Sequence, residues 1–494
     1  FRFLVYNPLW SQSHTNFMNK LSEVLTDAGH EVVMLAPVVD INHPPIGSVR
    51  VSKVITVPAC EEVIEFSNER KGSAPSSAWV SKSMIRSLQH SSRFYDVWLA
   101  QCNATLIHPG LLESLKKEQF DAAFLEPLDV CGYGIFHQIG VESVAATLSI
   151  GSYEGNSDHT GLPSFPSYVP GMMMPFGERM SFLERVVNTL SLGIGKYLFP
   201  YLEMPVEHLY HEKFGADFPT LREMKRATSL WFLNAEPLIE FPRPIIHKMI
   251  DIGGITVSAG HHPLNETWSR IMDLRPQTVL ISFGTVAKSY LMPDTYKKTI
   301  RSVIRKLPNV TFIWKYERPD DRISEGIPNL IEATWIPQVD MLYDPRLSLF
   351  ITHCGQGSTI EATTAGVPLI SIPIVGDQKR NGAVIQRIGT GVVLEKQSLE
   401  DPDLLETSFR SVLGTDKYRE KARAVGDMIR HRPFKPCETF VKNMEFLARF
   451  GPLRMLDHTG IELGFVQYYL IDVFAFLALV VVLISVVCFQ IIKF

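Results

Sequence analysis

The sequence predicts an α/β protein made of two doubly wound halves, followed by a C-terminal helix long enough to cross a membrane. Three observations carry that reading. Near-continuous apolar runs of strand length alternate with amphipathic helical runs, the pattern of a parallel sheet covered on both faces. The alternation begins at the N-terminus and restarts near residue 277. The final apolar segment, Val473 to Ile492, carries no charged residue; as a helix it spans roughly 30 Å, about one bilayer core.

In the first half, "FRFLVYN" reads as a buried strand and "PLWSQSH" as a loop. Thr15 to Ala28 reads as a helix, because Phe17, Leu21, Val24, Leu25 and Ala28 share one face and Gly29 stops it. "HEVVMLAP" is the next strand, and "AAFLE" is a later one ending on Glu126. The second half repeats the alternation through "QTVLISFGT", "NVTFIWKY", "NLIEATWIPQVDML", "LSLFITHCGQGSTIEATTAG" and "VPLISIPIVGDQ". Between the halves, "FPRPIIHKMIDIGGITV" has the prolines and glycines of a linker. The expected division is 1–250, 251–436, an amphipathic helix and juxtamembrane segment over 437–472, and a transmembrane helix over 473–492. The Met- and Pro-rich stretch from Phe165 to Glu207 contains "RVVNTLSLGIGKYLF". A core helix is expected there, with pocket lining or membrane contact as the alternatives.

Composition narrows the classes. A length of 494 residues favours two domains or more, and 46% hydrophobic with 20% charged residues suits a sizeable core. A net charge of −4 with no basic stripe gives no field that would recruit nucleic acid. The six cysteines show no Cys-x-x-Cys, so neither a zinc site nor a disulfide framework is read from them. The chain opens at Phe1 directly on a strand, and a signal peptide removed or left out is expected. Sequons at Asn103, Asn265 and Asn309, with Tyr468 and Tyr469 ahead of the span and Lys493 beyond it, favour a lumenal glycoprotein body on a single-pass tail.

Ligands of open α/β sheets sit at the carboxyl ends of the strands. There the second half offers Ser282, Thr285, Trp335, Gln338, His353 to Ser358, Glu361, Asp377 and Gln378. Gly355 and Gly357 let backbone N–H groups approach a ligand, and the helix after them favours negative charge, so the loop suits a phosphate or diphosphate. Ser358 and Glu361 also fit an ordinary capping box. Glu361 suits ribose hydroxyls, Trp335 the face of a base and Gln338 its edge. The dinucleotide fingerprint fails at Ile360, no P-loop is present, and Asp401-Pro402-Asp403 reads as a helix start and not a metal site. In the first half, His14 precedes the first helix, Glu126 ends a strand, and Asp129 follows three residues later. A helix N-terminus keeps an imidazole neutral, as a general base requires, and a carboxylate would orient it. His90, His108, His261 and His262 lack such a setting and read as surface.

These residues resemble the UDP-glycosyltransferases of family one, in the membrane-anchored animal branch, and the sequence style suggests an invertebrate, nematode-like member. The resemblance runs over nearly the whole chain through "WIPQVDML", "FITHCGQGSTIEA", "GVPLISIPIVGDQKRN" and "SQSHTNFMNKLSEVLTDAGHEV", with "SFGT" and "FPRP" in support. It implies a GT-B architecture, two Rossmann-like domains facing a cleft. It implies that Trp335 and Gln338 meet uracil, Glu361 ribose, and His353, Gly355 and Ser358 the diphosphate, with Ser282 and Thr285 close by. Asp377 and Gln378 would hold sugar hydroxyls. His14 matches the catalytic histidine, and Glu126 stands where an aspartate is usual. Gln356 and Gly357 replace the Ala-Asn common in vertebrate members. The expected activity is inverting transfer of glucose or glucuronate from its UDP-sugar to a small lipophilic acceptor. No metal is required, homo-oligomers are possible, and the expected setting is the endoplasmic reticulum membrane, in a detoxifying role. The alternatives are a sterol or ceramide glycosyltransferase and a catalytically weak binder of UDP-sugars or lipophiles.

Overall fold

The computed structural model describes residues 1–47, 49–72, 77–80, 84–151, 157–162, 164–257, 260–285 and 287–493, with side chains for all of these but 70–72, 77, 84–92 and 158. Two sheets organise it. The first contains β1 Arg2–Tyr6, β2 Glu31–Pro37, β3 Lys53–Val57, β4 Ala122–Leu125, β5 Val144–Leu148, β6 Leu230–Leu233 and β7 Met249–Asp251, in the order β3-β2-β1-β4-β5-β6-β7. The second contains β8 Gln277–Ser282, β9 Val310–Lys315, β10 Leu330–Ala333, β11 Leu347–Thr352, β12 Leu369–Ser371 and β13 Gly391–Val393, in the order β10-β9-β8-β11-β12-β13. The pairings on either side of the central strands are parallel, with Phe3 opposite both Val32 and Ala122, and Ile351 opposite both Ile281 and Ile370.

Alternate residues of these strands serve opposite faces, which is why the runs are apolar throughout. Leu4, Val33 and Ala123 enter one core of the first domain, while Phe3, Val5 and Phe124 enter the other. Val279, Ile281 and Ile351 pack on one side of the second sheet, and Leu280, Ile313 and Phe350 on the other. Each sheet has a switch point where the strand order reverses, between β1 and β4 and between β8 and β11. Ligands of such sheets bind in the crevice at that point.

After the second sheet the chain returns to the first domain. Helix Pro436–Phe450 drives Phe440, Met444 and Leu447, at helical spacing, into the core that holds Phe3, Val5 and Phe232. The segment beyond it is tied to the same domain. Lys248 pairs with Asp457, His458 Nε2 donates to Gly161 O at 2.9 Å, and Arg226 Nη2 donates to Ile461 O at 2.7 Å. The terminal helix Ile471–Ile492 is long and apolar enough to cross a membrane, and none of its apolar window is buried among the described residues. A disulfide joins Cys102 to Cys131, a pairing the scattered cysteines did not disclose.

The stretch expected to form a core helix behaves differently. Helix Phe182–Phe214 buries Asn188, Glu203, Val206, Leu209 and Tyr210, but its first two-thirds turns an apolar stripe outward; Leu183 and Tyr197 are each 72% exposed. Apolar periodicity marks a stripe without saying what covers it. The core-helix expectation is corrected on that ground.

Candidate active site

The first helix begins at Gln12, not Thr15, and ends at Asp27. Ser11, in an extended conformation, accepts from Thr15 N–H at 3.0 Å and closes a turn that the loop-like "SQS" concealed. His14 therefore sits inside the first turn and not ahead of it. Its Nδ1 donates to Glu126 Oε2 at 2.7 Å, because a carboxylate can only accept; Ser149 Oγ lies 2.8 Å from the same nitrogen. That arrangement leaves Nε2 with its lone pair free. Glu126 follows β4, and its second oxygen accepts from Ser149 N–H at 2.9 Å. Burial works to raise the Glu126 pKa, but His14 and the Ser149 hydrogen bonds outweigh it and hold the carboxyl below the usual range. The Trp10 ring lies against His14 with centroids 4.3 Å apart. Asp129 is not part of this pair. It accepts from Tyr6 OH at 3.0 Å and from Cys131 N–H at 2.9 Å, and burial pushes it up to about 6.

At the second switch point the loop after β11 is shaped by the His353 ring. A Cβ on Gly355 would lie 2.6 Å from that ring, and one on Gly284 would lie 2.5 Å from it. Cys354, between His353 and Gly355, holds a left-handed φ of 62°, which is rare for a residue other than glycine. Gly355 is thus dictated by His353, while a Cβ on Gly357 would meet nothing nearer than Glu361 Oε1 at 3.9 Å. The glycines were expected to admit a ligand; only at Gly357 is the space open. Desolvation pushes the His353 pKa down to about 4, and the charge of Lys315 adds to it.

Helix Gln356–Ala365 has Gly355 as its N-cap, so Ser358 is its third residue. Thr359 N–H is the one that bonds back to Gly355 O, so the N–H groups of 356 to 358 lack an intrahelical partner. The capping box does not form. Ser358 Oγ and Glu361 Oε2 instead accept from Gln338 Nε2 at 3.2 and 2.7 Å. Desolvation raises Glu361 to about 7 against the pull of that hydrogen bond. Trp335, on the loop after β10, is 68% exposed, and Thr285 is exposed beyond buried Ser282. Gln378, which is buried, uses its Oε1 to accept from Ile374 and Val375 N–H at 2.8 and 2.9 Å, so its amide nitrogen is the atom left to donate. Asp377 accepts from Asn381 Nδ2 at 2.7 Å, and Asn381 also reaches Cys354 O at 2.9 Å.

A hydrogen-bonded path joins the two switch points. Asn234 Nδ2 donates to Ser149 O at 2.9 Å, and Gln356 Nε2 donates to Asn234 O at 2.8 Å. His14 and the helix N-terminus at Gln356 are therefore linked through Ser149 and Asn234. Asp377 senses the same closeness: burial raises its pKa, while Asn381 and the charge of His14 across the cleft oppose the rise. Around the cleft Arg380 pairs with Glu240 at 2.5 Å, and Arg432 pairs with Glu236. Trp79 of the first domain is buried in the second, ring to ring with Phe283 at 5.2 Å, and donates to Lys288 O at 3.1 Å.

Ser149, Asn234, Asn381 and Trp79 were not singled out from the sequence, because each acquires its place only through tertiary packing. The one available signal was the position of Ser149 and Asn234 just past apolar strands. Among the described residues no group of His, Cys, Asp and Glu converges as metal ligands. Asp401 caps helix Pro402–Leu413, accepting from Asp403 and Leu404 N–H. His108, His261 and His262 are exposed, and the side chain of His90 lies outside the described residues.

Two parallel Rossmann-like sheets whose switch points meet across one cleft define the GT-B glycosyltransferases, and solved members share the fold. The calicheamicin glycosyltransferase CalG4 superposes with a TM-score of 0.59 at 15% identity, covering 91% of this chain and 99% of that one. The spinosyn rhamnosyltransferase SpnG complexed with thymidine diphosphate gives 0.57 at 15%, covering 90% and 100%. The family model described as "UDP-glucoronosyl and UDP-glucosyl transferase" matches residues 4–494, and the chain belongs to that family, in its animal type. Similar curated proteins include the putative UDP-glucuronosyltransferase ugt-48 of Caenorhabditis elegans, 29% identical over 98% of this chain and 93% of that protein. UDP-glucuronosyltransferase 1A8 of Rattus norvegicus is 28% identical over 95% and 87%. The chain is a UDP-glycosyltransferase, moving sugar from a UDP-sugar donor.

Proposed function

We propose that His14 is the general base of an inverting transfer of glucose or glucuronate to a hydroxyl of a small lipophilic acceptor. The observation that carries this reading is the His14–Glu126 pair linked through Ser149 and Asn234 to Gln356 at the helix N-terminus. His14 Nε2 takes the acceptor proton as the acceptor oxygen attacks the anomeric carbon. The bond from that carbon to the UDP oxygen breaks, UDP leaves with the electron pair, and the configuration inverts. Glu126 holds the Nδ1 proton and stabilises the imidazolium. Charge growing on UDP meets the N–H groups of 356 to 358, Ser358, and the Ser282 to Thr285 loop. Neutral His353 offers an N–H to the diphosphate. Trp335 and Gln338 take uracil, Glu361 the ribose, and Asp377 with the amide nitrogen of Gln378 the sugar hydroxyls. Residues 1–250 supply the acceptor side and 251–436 the donor side.

We further read the body as lumenal, on an endoplasmic reticulum membrane with the terminal helix as anchor. The Cys102–Cys131 disulfide supports an oxidising compartment. Exposed Asn265 and Asn309 support access to glycosylation, whereas the side-chain oxygen of Asn103 is buried. The test of the reaction is His14→Ala assayed for turnover with UDP-glucose and UDP-glucuronate, alongside UDP binding by calorimetry. Turnover lost with UDP affinity kept supports the base; both lost together assigns His14 a structural role.

A further inference from the structure

Trp10 stands on the loop ahead of the first helix and lays its ring against the imidazole of His14, with centroids 4.3 Å and planes 39° apart. Its backbone is fixed by the residue before it. Leu9 N–H donates to Pro37 O at 2.8 Å, and Leu9 O accepts from Val39 and Asp40 N–H at 3.1 and 2.9 Å. Leu9 is thus clamped through both of its peptide groups to the chain leaving β2. The indole is fixed by a second aromatic. Trp98, packed with Val39, Val63 and Phe66, is 8% exposed and meets the Trp10 ring at 5.5 Å and 76°. Tyr95 backs Trp98 in turn at 5.3 Å and 69°. These separations and tilts are those at which aromatic rings attract one another.

Trp10 meets the part of His14 that Glu126 leaves open. The carboxylate and the Ser149 hydroxyl meet the Nδ1 edge, and the indole takes the ring itself, so neither uses Nε2. An indole is the strongest of the aromatic faces for a cation, and its attraction acts within about 6 Å of the ring centre. A neutral imidazole gains little from it, so the contact strengthens as a proton arrives on Nε2. An interaction that grows toward the transition state is the kind that raises a rate. The charged groups acting on this ring are Glu126, after β4, and Asp377, from the start of helix Gln378–Ile388. Other titratable groups of the packed elements are turned elsewhere. Asp129 accepts from Tyr6, and His43 sits between Thr15 Oγ1 and Pro44 O.

We propose that Trp10 is a positioning residue acting through His14. Its indole holds the imidazole in line with Glu126 and stabilises the imidazolium formed when the acceptor proton is taken. The proposal rests on the reading of His14 as the base.

The test places leucine, phenylalanine, and phenylalanine with one, two or three ring fluorines at position 10 of the full chain. Naphthol serves as the acceptor probe, with UDP-glucose and UDP-glucuronate in parallel. Single-turnover rate, the pH profile of kcat/KM and UDP binding by calorimetry are read on each. Trp10→Leu is expected to slow turnover about 3- to 10-fold and to move the acid limb about 0.4 to 1.5 pH units lower, since a less stabilised imidazolium releases its proton at lower pH. UDP affinity is expected to hold. Trp10→Phe should restore part of both, and each added fluorine, which weakens the ring face at nearly constant shape, should take some of it away. A flat fluorine series overturns the proposal. A rise in acceptor KM alone also overturns it, making Trp10 a wall of the acceptor pocket. Loss of UDP binding in every variant overturns it too, making Trp10 a packing residue. His14→Ala keeps the two readings apart. An acid limb that survives in that variant refutes the base itself, whereas a flat series over a limb that His14→Ala removes refutes Trp10 alone.

Discussion

Each switch point carries a histidine, and the two have opposite surroundings. His14 shares its Nδ1 with a buried carboxylate and a serine hydroxyl, whereas His353 is packed against glycines, with Thr352 Oγ1 3.4 Å from its Nδ1 and the Lys315 charge nearby. One ring has a carboxylate placed to stabilise positive charge on it. The other is kept neutral by desolvation and shapes its loop sterically. Residue type is the same, but one ring lies in the first turn of a helix and the other directly follows a strand, and the partner on Nδ1 separates the proposed base from a wall.

The comparison breaks most visibly at His14. His14→Ala is expected to lower kcat by about 10²–10⁴-fold, with the UDP dissociation constant within about twofold by calorimetry. His353→Ala, by contrast, is expected to raise KM for the UDP-sugar by about tenfold, with kcat affected less, because a wall and one N–H donor are lost near the diphosphate and no proton carrier is removed. If both variants lose kcat alike, the distinction between the two rings fails.

Glu126→Gln sharpens the first half of it. An amide no longer fixes Nδ1 as the donor, and turnover is expected to fall about 10²-fold. The pH dependence has a definite sign. Glu126 is held below its ordinary pKa, so its stabilising contribution is present above the ordinary carboxylate value and disappears as pH falls through the depressed one. Urea midpoints measured on the acid side should show a fall that Glu126→Gln lacks. Glu361 has the opposite sign. Its pKa of about 7 lies above the ordinary value, so its contribution is present at low pH and is lost as pH rises through about 7. Glu361→Gln should flatten stability between roughly pH 5 and 7, and should remove any rise in UDP-sugar affinity over the same titration.

The smallest effect is expected across the domain boundary. Trp79→Ala should raise KM for the donor by about 3- to 10-fold by loosening the Phe283 to Lys288 loop, and Trp79→Phe should recover part of it. An unchanged KM would separate that loop from the first domain.

Much of this site was legible because short motifs carried it. The strand-loop-helix at His353, the Trp335 to Gln338 turn and the His14 loop stand at strand ends that apolar runs reveal. What stayed hidden depends on distance in sequence. Asn234 finds Ser149 and Gln356 only after both sheets have formed, and Trp79 reaches Phe283 across some two hundred residues. The start of the first helix was missed because Ser11 caps it with its backbone while its side chain makes no capping bond to announce it. The stripe on the long helix was misread because a pattern of fours and threes is the same whether or not protein lies opposite.

Helix Pro436–Phe450 has a mechanical corollary. It brings the polypeptide home to the lobe where it began, so the lobe bearing His14 is docked at both extremities and takes whatever load the tail transmits. The second lobe is a detour between two crossings, near residues 252 and 435. A change in the angle of that lobe would leave both ends of the first lobe where they are.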